Sequence, residues 1–290
     1  MANDVILVVG ATGNTGAGVV AGLLGQGRTV RALVRDAAKA EGLKSQGTEV
    51  VMGDLDDAAT LTSALFADVS RVYLLTWNGP TATQQSKNFL GAMKAAGASP
   101  RIVRLSAYGA AHAQIIKDLR VAEQDLKDSG VEWTILQPTF FMQNTMMAAQ
   151  SLQEMGMVFF DWGDGKAGMI DVRDIIDSVV GALTTDGDEF VGKEYVMTGP
   201  ASIGFADVAA SIGKVVGKEV TYVAVPHEKA KEAMLGMGLL ESIADGFGEL
   251  AEGFTDGFAD LTTDSVQQLA GHAPRSFDEF ASDFRSAFGG

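Results

Sequence analysis

Residues Val5 to Gly16 read VILVVGATGNTG, and this stretch decides the fold. Val5 to Val9 is an unbroken apolar run, the pattern of a strand buried on both faces. Gly10-Ala11-Thr12-Gly13-Asn14-Thr15-Gly16 follows at once, and from Ala17 to Leu24 apolar residues recur at helical spacing. A strand, a glycine turn and a helix in direct succession make the phosphate-binding unit of a Rossmann domain. The spacing is Gly-x-x-Gly-x-x-Gly, not the Gly-x-Gly-x-x-Gly of the dehydrogenase fingerprint, yet the physics carries over. Gly10 permits the tight turn, Gly13 lets backbone N–H groups approach a pyrophosphate, and Gly16 lets the helix pack close to the sheet. The pyrophosphate then rests on the positive end of that helix.

Outward from this unit, short apolar runs alternate with helical stretches. Thr29 to Val34, Glu49 to Met52, Arg71 to Leu75, Ile102 to Leu105 and Trp133 to Leu136 read as strands. Asp57 to Phe66, Thr81 to Ala96 and Ala113 to Ser129 read as helices between them. Right-handed crossovers then give an α/β fold with a doubly wound parallel sheet of the Rossmann type. After Pro138 the pattern loosens, with a short segment at Met157 to Phe160 and a turn-rich Asp161-Trp162-Gly163-Asp164-Gly165. Residues 1–155 are expected to form the dinucleotide-binding domain, with 171–185 returning to it from a helix that begins near Asp171. Residues 156–170 and 186–290 are expected to form a smaller C-terminal α/β part that binds substrate, with short strands at Tyr195 to Met197 and Val220 to Val223.

Composition narrows the function. The formal net charge of −15 makes nucleic acid and anionic lipid poor partners. No apolar run is long enough to span a bilayer and no secretory start precedes Val5, which points to a soluble protein. With no cysteine there are no disulfides or thiolate ligands, which favours a cytoplasmic home. His112, His227 and His272 are too scattered to suggest a metal site. The late run of Glu241, Asp245, Glu249, Glu252, Asp256 and Asp260 reads as a solvated helix face. Met234-Leu235-Gly236-Met237-Gly238 suggests an adaptable apolar surface, either ordinary gap filling or a substrate wall.

The choice of dinucleotide rests on the end of the second strand. An NAD-binding unit places a carboxylate there for the ribose 2′-hydroxyl. Here Ala32-Leu33-Val34 is followed by Arg35, whose guanidinium suits a 2′-phosphate. NADP(H) is therefore expected over NAD(H), with Asn14, Thr15 and Lys39 as helpers and Asp36 as the opposing feature. Gly53-Asp54-Leu55 fits the rim of an adenine pocket, although Asp54 also suits the N-cap of the following helix.

GATGNTG, Arg35, VMGDLDD, RIVRLSAYGA, SGVEWTILQPTFFMQN, IDVRDI, YVMTGP and the closing GHAPRSFDEF together resemble the NmrA-like atypical short-chain dehydrogenase/reductases. The similarity is greatest to the branch holding triphenylmethane reductase and NADPH quinone reductases. It implies cofactor contacts at Thr12, Gly13, Asn14, Thr15, Arg35, Asp54, Leu55 and Thr76. It also implies that Pro138 to Phe141, including Phe140, lie beside the nicotinamide. A substrate cleft lined by Phe140, Phe141, Asn144 and Trp162 would suit a flat conjugated molecule.

One departure matters. The Tyr-x-x-x-Lys pair of short-chain dehydrogenases falls on Ile115 and Leu119 here, and neither transfers a proton. Ser106, where the superfamily keeps its catalytic serine, and Tyr108 are the candidate replacements, while Lys117 points to the wrong side of its helix. The expected activity is hydride transfer from NADPH to a quinone or similar conjugated small molecule, with protons from solvent. The alternative is a non-enzymatic cofactor sensor of the NmrA type acting through a protein partner, with the apolar segment from Met234 to Phe258 as its contact surface. A biosynthetic tailoring reductase or isomerase using the same cleft is a third reading, and a homo-oligomer is a further partner option.

Overall fold

The run Val5–Val9 forms strand β1, and none of its residues is more than 2% exposed. The computed structural model describes residues 4–76, 79, 81–109, 113 and 116–290. The glycine turn leads into helix α1 (Asn14–Gly25), then β2 (Thr29–Val34), α2 (Ala37–Ser45) and β3 (Glu49–Met52). Strand β4 (Val69–Leu75), α3 (Ala82–Ala95), β5 (Arg101–Leu105), α4 (Lys117–Asp128) and β6 (Trp133–Pro138) complete the first half. The stretch expected as one helix from Asp57 to Phe66 is instead two short 3₁₀ turns, Ala58–Thr60 and Ser63–Phe66. Thr62 breaks it in extended conformation, with φ −78° and ψ 166°.

The second half runs α5 (Ala149–Met155), β7 (Met157–Phe160), β8 (Lys166–Ala167), α6 (Val172–Thr184), β9 (Lys193–Met197) and β10 (Ile203–Gly204). It continues with α7 (Phe205–Val216), β11 (Thr221–Ala224), α8 (His227–Gly236), α9 (Glu241–Thr255), α10 (Ser265–Ala270) and α11 (Phe277–Asp283). The main sheet has seven strands in the order β3-β2-β1-β4-β5-β6-β9, every neighbouring pair parallel. Strand order reverses between β1 and β4, which opens a crevice at their carboxyl ends, where open α/β sheets bind ligands.

Each face of the sheet is covered. Val19, Val20 and Leu23 of α1, Ile175 and Val179 of α6, and Val266 and Leu269 of α10 pack on one side. Phe89 and Met93 of α3 and Leu126 of α4 pack on the other. A separate aromatic core, with Trp162, Phe205, Phe254, Phe280 and Phe288, joins the small pairs β7–β11 and β8–β10 to α7, α9 and α11. The structure differs from expectation at β9. Tyr195 to Met197, placed with the smaller part, pair in parallel with β6 as the edge of the main sheet. Their burial against Phe190 and α10 explains why a short apolar run there did not announce its sheet. Glu241, Asp245, Glu249 and Glu252 of the acidic run lie exposed on α9, with Asp256 at its C-cap and Asp260 beyond it, while Ala244, Ala251 and Phe254 turn inward. Helix α8 buries none of its residues, and Leu235 and Met237 remain exposed.

Helix α6 also anchors the loop that leaves β6. Asp171 caps it, accepting from the Arg173 backbone N–H at 2.9 Å and from the Arg173 guanidinium at 2.6 and 3.0 Å. Gln143 bridges loop and helix, donating to Asp171 at 2.9 Å and accepting from the Val172 N–H at 3.1 Å. Burial would push the Asp171 carboxyl up, but the bonds from Arg173 and Gln143 and the Arg173 charge hold it below the ordinary carboxylate range.

Two predictions come from these contacts. A β-carbon on Gly181 of α6 would lie 1.9 Å from the Leu269 carbonyl oxygen of α10, whereas one on Gly42 of α2 meets nothing within 4 Å. Gly181→Ala should therefore cost about 1–3 kcal/mol in denaturant unfolding, and Gly42→Ala should stabilise by about 0.5–1 kcal/mol; equal effects would contradict the packing described. Because the folded-state pKa of Asp171 is depressed, its stabilisation is full above the unfolded value of about 3.9 and is lost as pH falls through the folded value. Asp171→Asn should cost about 1–3 kcal/mol at neutral pH and flatten the acid limb of a stability–pH curve; an unchanged acid limb would remove this role.

Candidate functional site

The crevice at β1 and β4 is a groove of about 790 Å³ lined by Gly10, Thr12, Gly13, Asn14, Thr15, Arg35, Asp54, Leu55, Thr76, Ser106 and Phe141, with Asp56, Thr81 and Gln85 along its rim. The three glycines of the turn differ in what they require. Gly10 has φ +83°, which an L side chain rarely adopts. A β-carbon on Gly16 would lie 2.0 Å from the Gly10 carbonyl oxygen, so only glycine lets α1 start this close to β1. Gly13 is extended, and a β-carbon there would make only ordinary contact, 3.4 Å from Gly10 O. Neither backbone nor packing demands glycine at 13; its bareness serves the open groove.

No side chain caps α1 and no acid sits in its first turn. The first-turn N–H groups therefore keep their positive end for an anion. Thr15 is nearly buried, and its hydroxyl accepts from the Tyr73 phenol at 3.1 Å beneath the turn. Burial raises the Tyr73 pKa, so the phenol stays a donor. Thr15 thus ties the turn to β4.

At the end of β2, Arg35 is exposed on the groove wall and makes no ion pair among the described residues. Asp36, the feature that opposed a 2′-phosphate, is turned away: its carboxylate caps α2, accepting from the Ala38 N–H at 2.9 Å. Lys39 is exposed on α2 and is not part of the groove wall. Asp54 does not cap a helix, since Asp57 holds that position. Its carboxylate accepts from the Asp56 N–H at 3.0 Å in a local turn that faces the groove. Helix α3 holds this loop through Gln85 to Asp56 at 2.9 Å and Asn88 to the Leu55 carbonyl at 2.7 Å.

At the other end, Leu75, Thr76, Leu105, Ser106 and Phe141 close the groove. Ser106 is 3% exposed and its hydroxyl has no hydrogen-bond partner among the described residues. Beneath lies a polar layer that sequence reading missed: Arg104, Glu123 and Ser86 are all fully buried. Arg104 donates to Thr76 Oγ1 at 3.0 Å, and Gln137 donates to Glu123 at 3.0 Å. Burial pushes the Arg104 guanidinium down to about 10, against the opposing pull of Glu123 and Asp125. A charge inside the apolar strand Arg101-Ile102-Val103-Arg104-Leu105 was the available signal.

The expected catalytic and cleft residues divide. Tyr108 is half-buried with its ring stacked on Phe258, centroids 5.7 Å apart, and neither it nor Pro138 or Asn144 lines the groove. Phe140 and Trp162 belong to the aromatic core: Trp162 is 4% exposed, stacks on Phe254 at 3.7 Å and meets Phe140 edge-on at 4.6 Å. Trp162 is therefore packed in the aromatic core, buried by one stacked and several edge-on rings, and is not among the residues lining the groove. Leu119 is buried with Ala82, Ala113 and Ile116, and Lys117 is exposed. Ile115 and His112 lie outside the described residues. His272, read as isolated, comes together with Asp174 and Asp177, but Arg275 donates to both carboxylates and fills that corner.

The NmrA-like family model matches residues 2–281. The chain is 40% identical to the NAD(P)H azoreductase of Xenophilus azovorans, over 98% of this chain and 99% of that protein. The crystal structure of the NADPH-dependent quinone oxidoreductase QOR2 of Escherichia coli, complexed with NADPH, superposes with a TM-score of 0.87 at 26% identity, over 96% of this chain and 99% of that one. The triphenylmethane reductase of Citrobacter sp. shares the fold, with a TM-score of 0.85 at 23% identity over 97% of this chain and 99% of that one.

Proposed function

The chain belongs to the NmrA-like family, and on that premise we propose that it is an NADP(H)-dependent reductase delivering hydride to a quinone or similarly conjugated small molecule. The observation that carries this reading is the groove itself. It joins an uncapped helix N-terminus to an unpaired Arg35 at one end and to the unpartnered Ser106 hydroxyl at the other. In this reading the first-turn N–H groups of α1 hold a pyrophosphate and Arg35 pairs with the 2′-phosphate. Asp54 accepts from the adenine amine at the groove rim. The nicotinamide, when bound, supplies the hydride.

The protein's part is orientation. Leu75, Leu105 and Phe141 give the reacting end apolar walls, and Ser106 offers it one hydrogen-bond donor. With Leu119 buried in an apolar cluster, the chain has no lysine where short-chain dehydrogenases keep one. Reduction of a quinone needs one hydride and one proton, and the proton comes from solvent once the electron pair has arrived. An azo bond is a second acceptor of the same kind, suggested by the azoreductase relative. A cofactor sensor acting through a protein partner is the less favoured reading, since an NAD(P)H azoreductase and a quinone oxidoreductase are among the full-length relatives.

The decisive assay is NADPH oxidation by the purified protein with a panel of quinones and azo compounds, NADH in parallel. Turnover preferring NADPH is expected; tight NADPH binding without turnover on any acceptor would favour the sensor. Arg35→Ala should raise the KM for NADPH by about 10- to 100-fold, the size of a lost charge-assisted bond, and change that for NADH little. Equal losses would remove the 2′-phosphate role. Tyr108→Phe should leave kcat within about threefold, whereas a loss of a hundredfold or more, the size of a general acid's contribution, would make Tyr108 the proton donor.

A further inference from the structure

Arg104 is fully inaccessible on β5, with Glu123 and Asp125 as its counter-charges, yet its Nε and Nη1 have no hydrogen-bond partner among the described residues. Glu123 Oε2, whose charge acts on Arg104, is equally buried and has no hydrogen-bond partner among the described residues, and the same holds for Ser86 Oγ of α3. The Arg120 cation on the same helix is 3.7 Å from Glu123 Oε2, beyond hydrogen-bond reach. Orphaned buried donors are strongly destabilising, and an apolar side chain of similar volume fills such a place at less cost.

What Arg104 does that an apolar residue does not is donate to Thr76 Oγ1, at 3.0 Å. Val103 and Leu105 face the α1–α6 side of the sheet while Ile102 packs on the α3–α4 side, so Arg104 shares the face of Ile102. Leu75 pairs with Leu105, which puts Thr76 just beyond the end of β4, level with Ser106 on the groove wall. A guanidinium carries donors only. The Thr76 hydroxyl must therefore accept from Arg104, which commits one of its two lone pairs inward and leaves its proton to give toward the groove.

We propose that Arg104 is a positioning residue for the bound dinucleotide: by donating to Thr76 it makes that hydroxyl a fixed hydrogen-bond donor into the groove, with Glu123 as the buried counter-charge. The role rests on the dinucleotide reading above, but it concerns binding and not turnover. Burial and the bond to Thr76 hold the guanidinium in one place, so Thr76 is set before the ligand arrives.

The test is the affinity for NADP⁺ by titration calorimetry, with no acceptor present. Thr76→Val and Arg104→Met should each weaken binding about tenfold, the size of one hydrogen bond, and the double variant should also be about tenfold weaker, not about a hundredfold. Arg104→Lys, which keeps charge and a donor, should recover affinity to within about threefold. Should Arg104→Met unfold by stranding Glu123, the double variant Arg104→Met/Glu123→Gln carries the same measurement in a neutral layer. Multiplicative losses in the Thr76/Arg104 double variant, or native affinity in Arg104→Met, would overturn the proposal. A native protein that binds no NADP⁺ would overturn the dinucleotide reading and this role with it, while binding without turnover would overturn only the reductase.

Discussion

The groove depends on one close approach, that of the first turn of α1 to the carbonyl of Gly10. A β-carbon on Gly16 would sit 2.0 Å from that oxygen, so any other residue would lift the helix away from β1. With glycine there, the helix starts at the point where strand order reverses, and its uncapped N–H groups face the crevice. The Tyr73–Thr15 bond then fixes the turn to β4 from below. The rest of the site is arranged around this geometry, since a displaced helix end would lose both the anion-binding dipole and the shape of the floor.

Two cores share the work. The sheet and its helices carry the groove, whereas the aromatic core built around Trp162, Phe205 and Phe254 carries the second half of the chain. The joint between them is made of small contacts with strict shape. Phe258 stacks on Tyr108, and a β-carbon on Gly109 would fall 2.5 Å from its ring. Asp171 and Gln143 tie the loop carrying Phe141 to α6. The wall of the groove is thereby set by elements more than a hundred residues from the phosphate-binding turn.

The electrostatics of the groove suit its reading. A chain with a net charge of −15 presents at this site an uncapped helix end and an unpaired arginine. Asp36, the nearest carboxylate in sequence, is occupied as a helix cap. Among the described residues, the other end of the groove offers the hydroxyls of Ser106 and Thr76 between the apolar walls of Leu75, Leu105 and Phe141. Such a site orients a cofactor and a flat acceptor without needing an acid of its own.

Thr76 and Ser106 along the groove were legible only through the family resemblance, whereas the sequence by itself determined the Rossmann architecture, the glycine turn, Arg35 and Asp54. These follow from local patterns: the period of buried strands, glycines at fixed offsets, and the residue that ends β2. Only the tertiary structure decided that β9 closes the main sheet, that Trp162 is core, that Asp36 caps a helix and that Arg104 lies beneath Thr76. Each of those outcomes depends on which distant segment a side chain meets. A one-dimensional pattern holds no record of such meetings, because packing partners and the burial of a charge arise when separate elements are brought together.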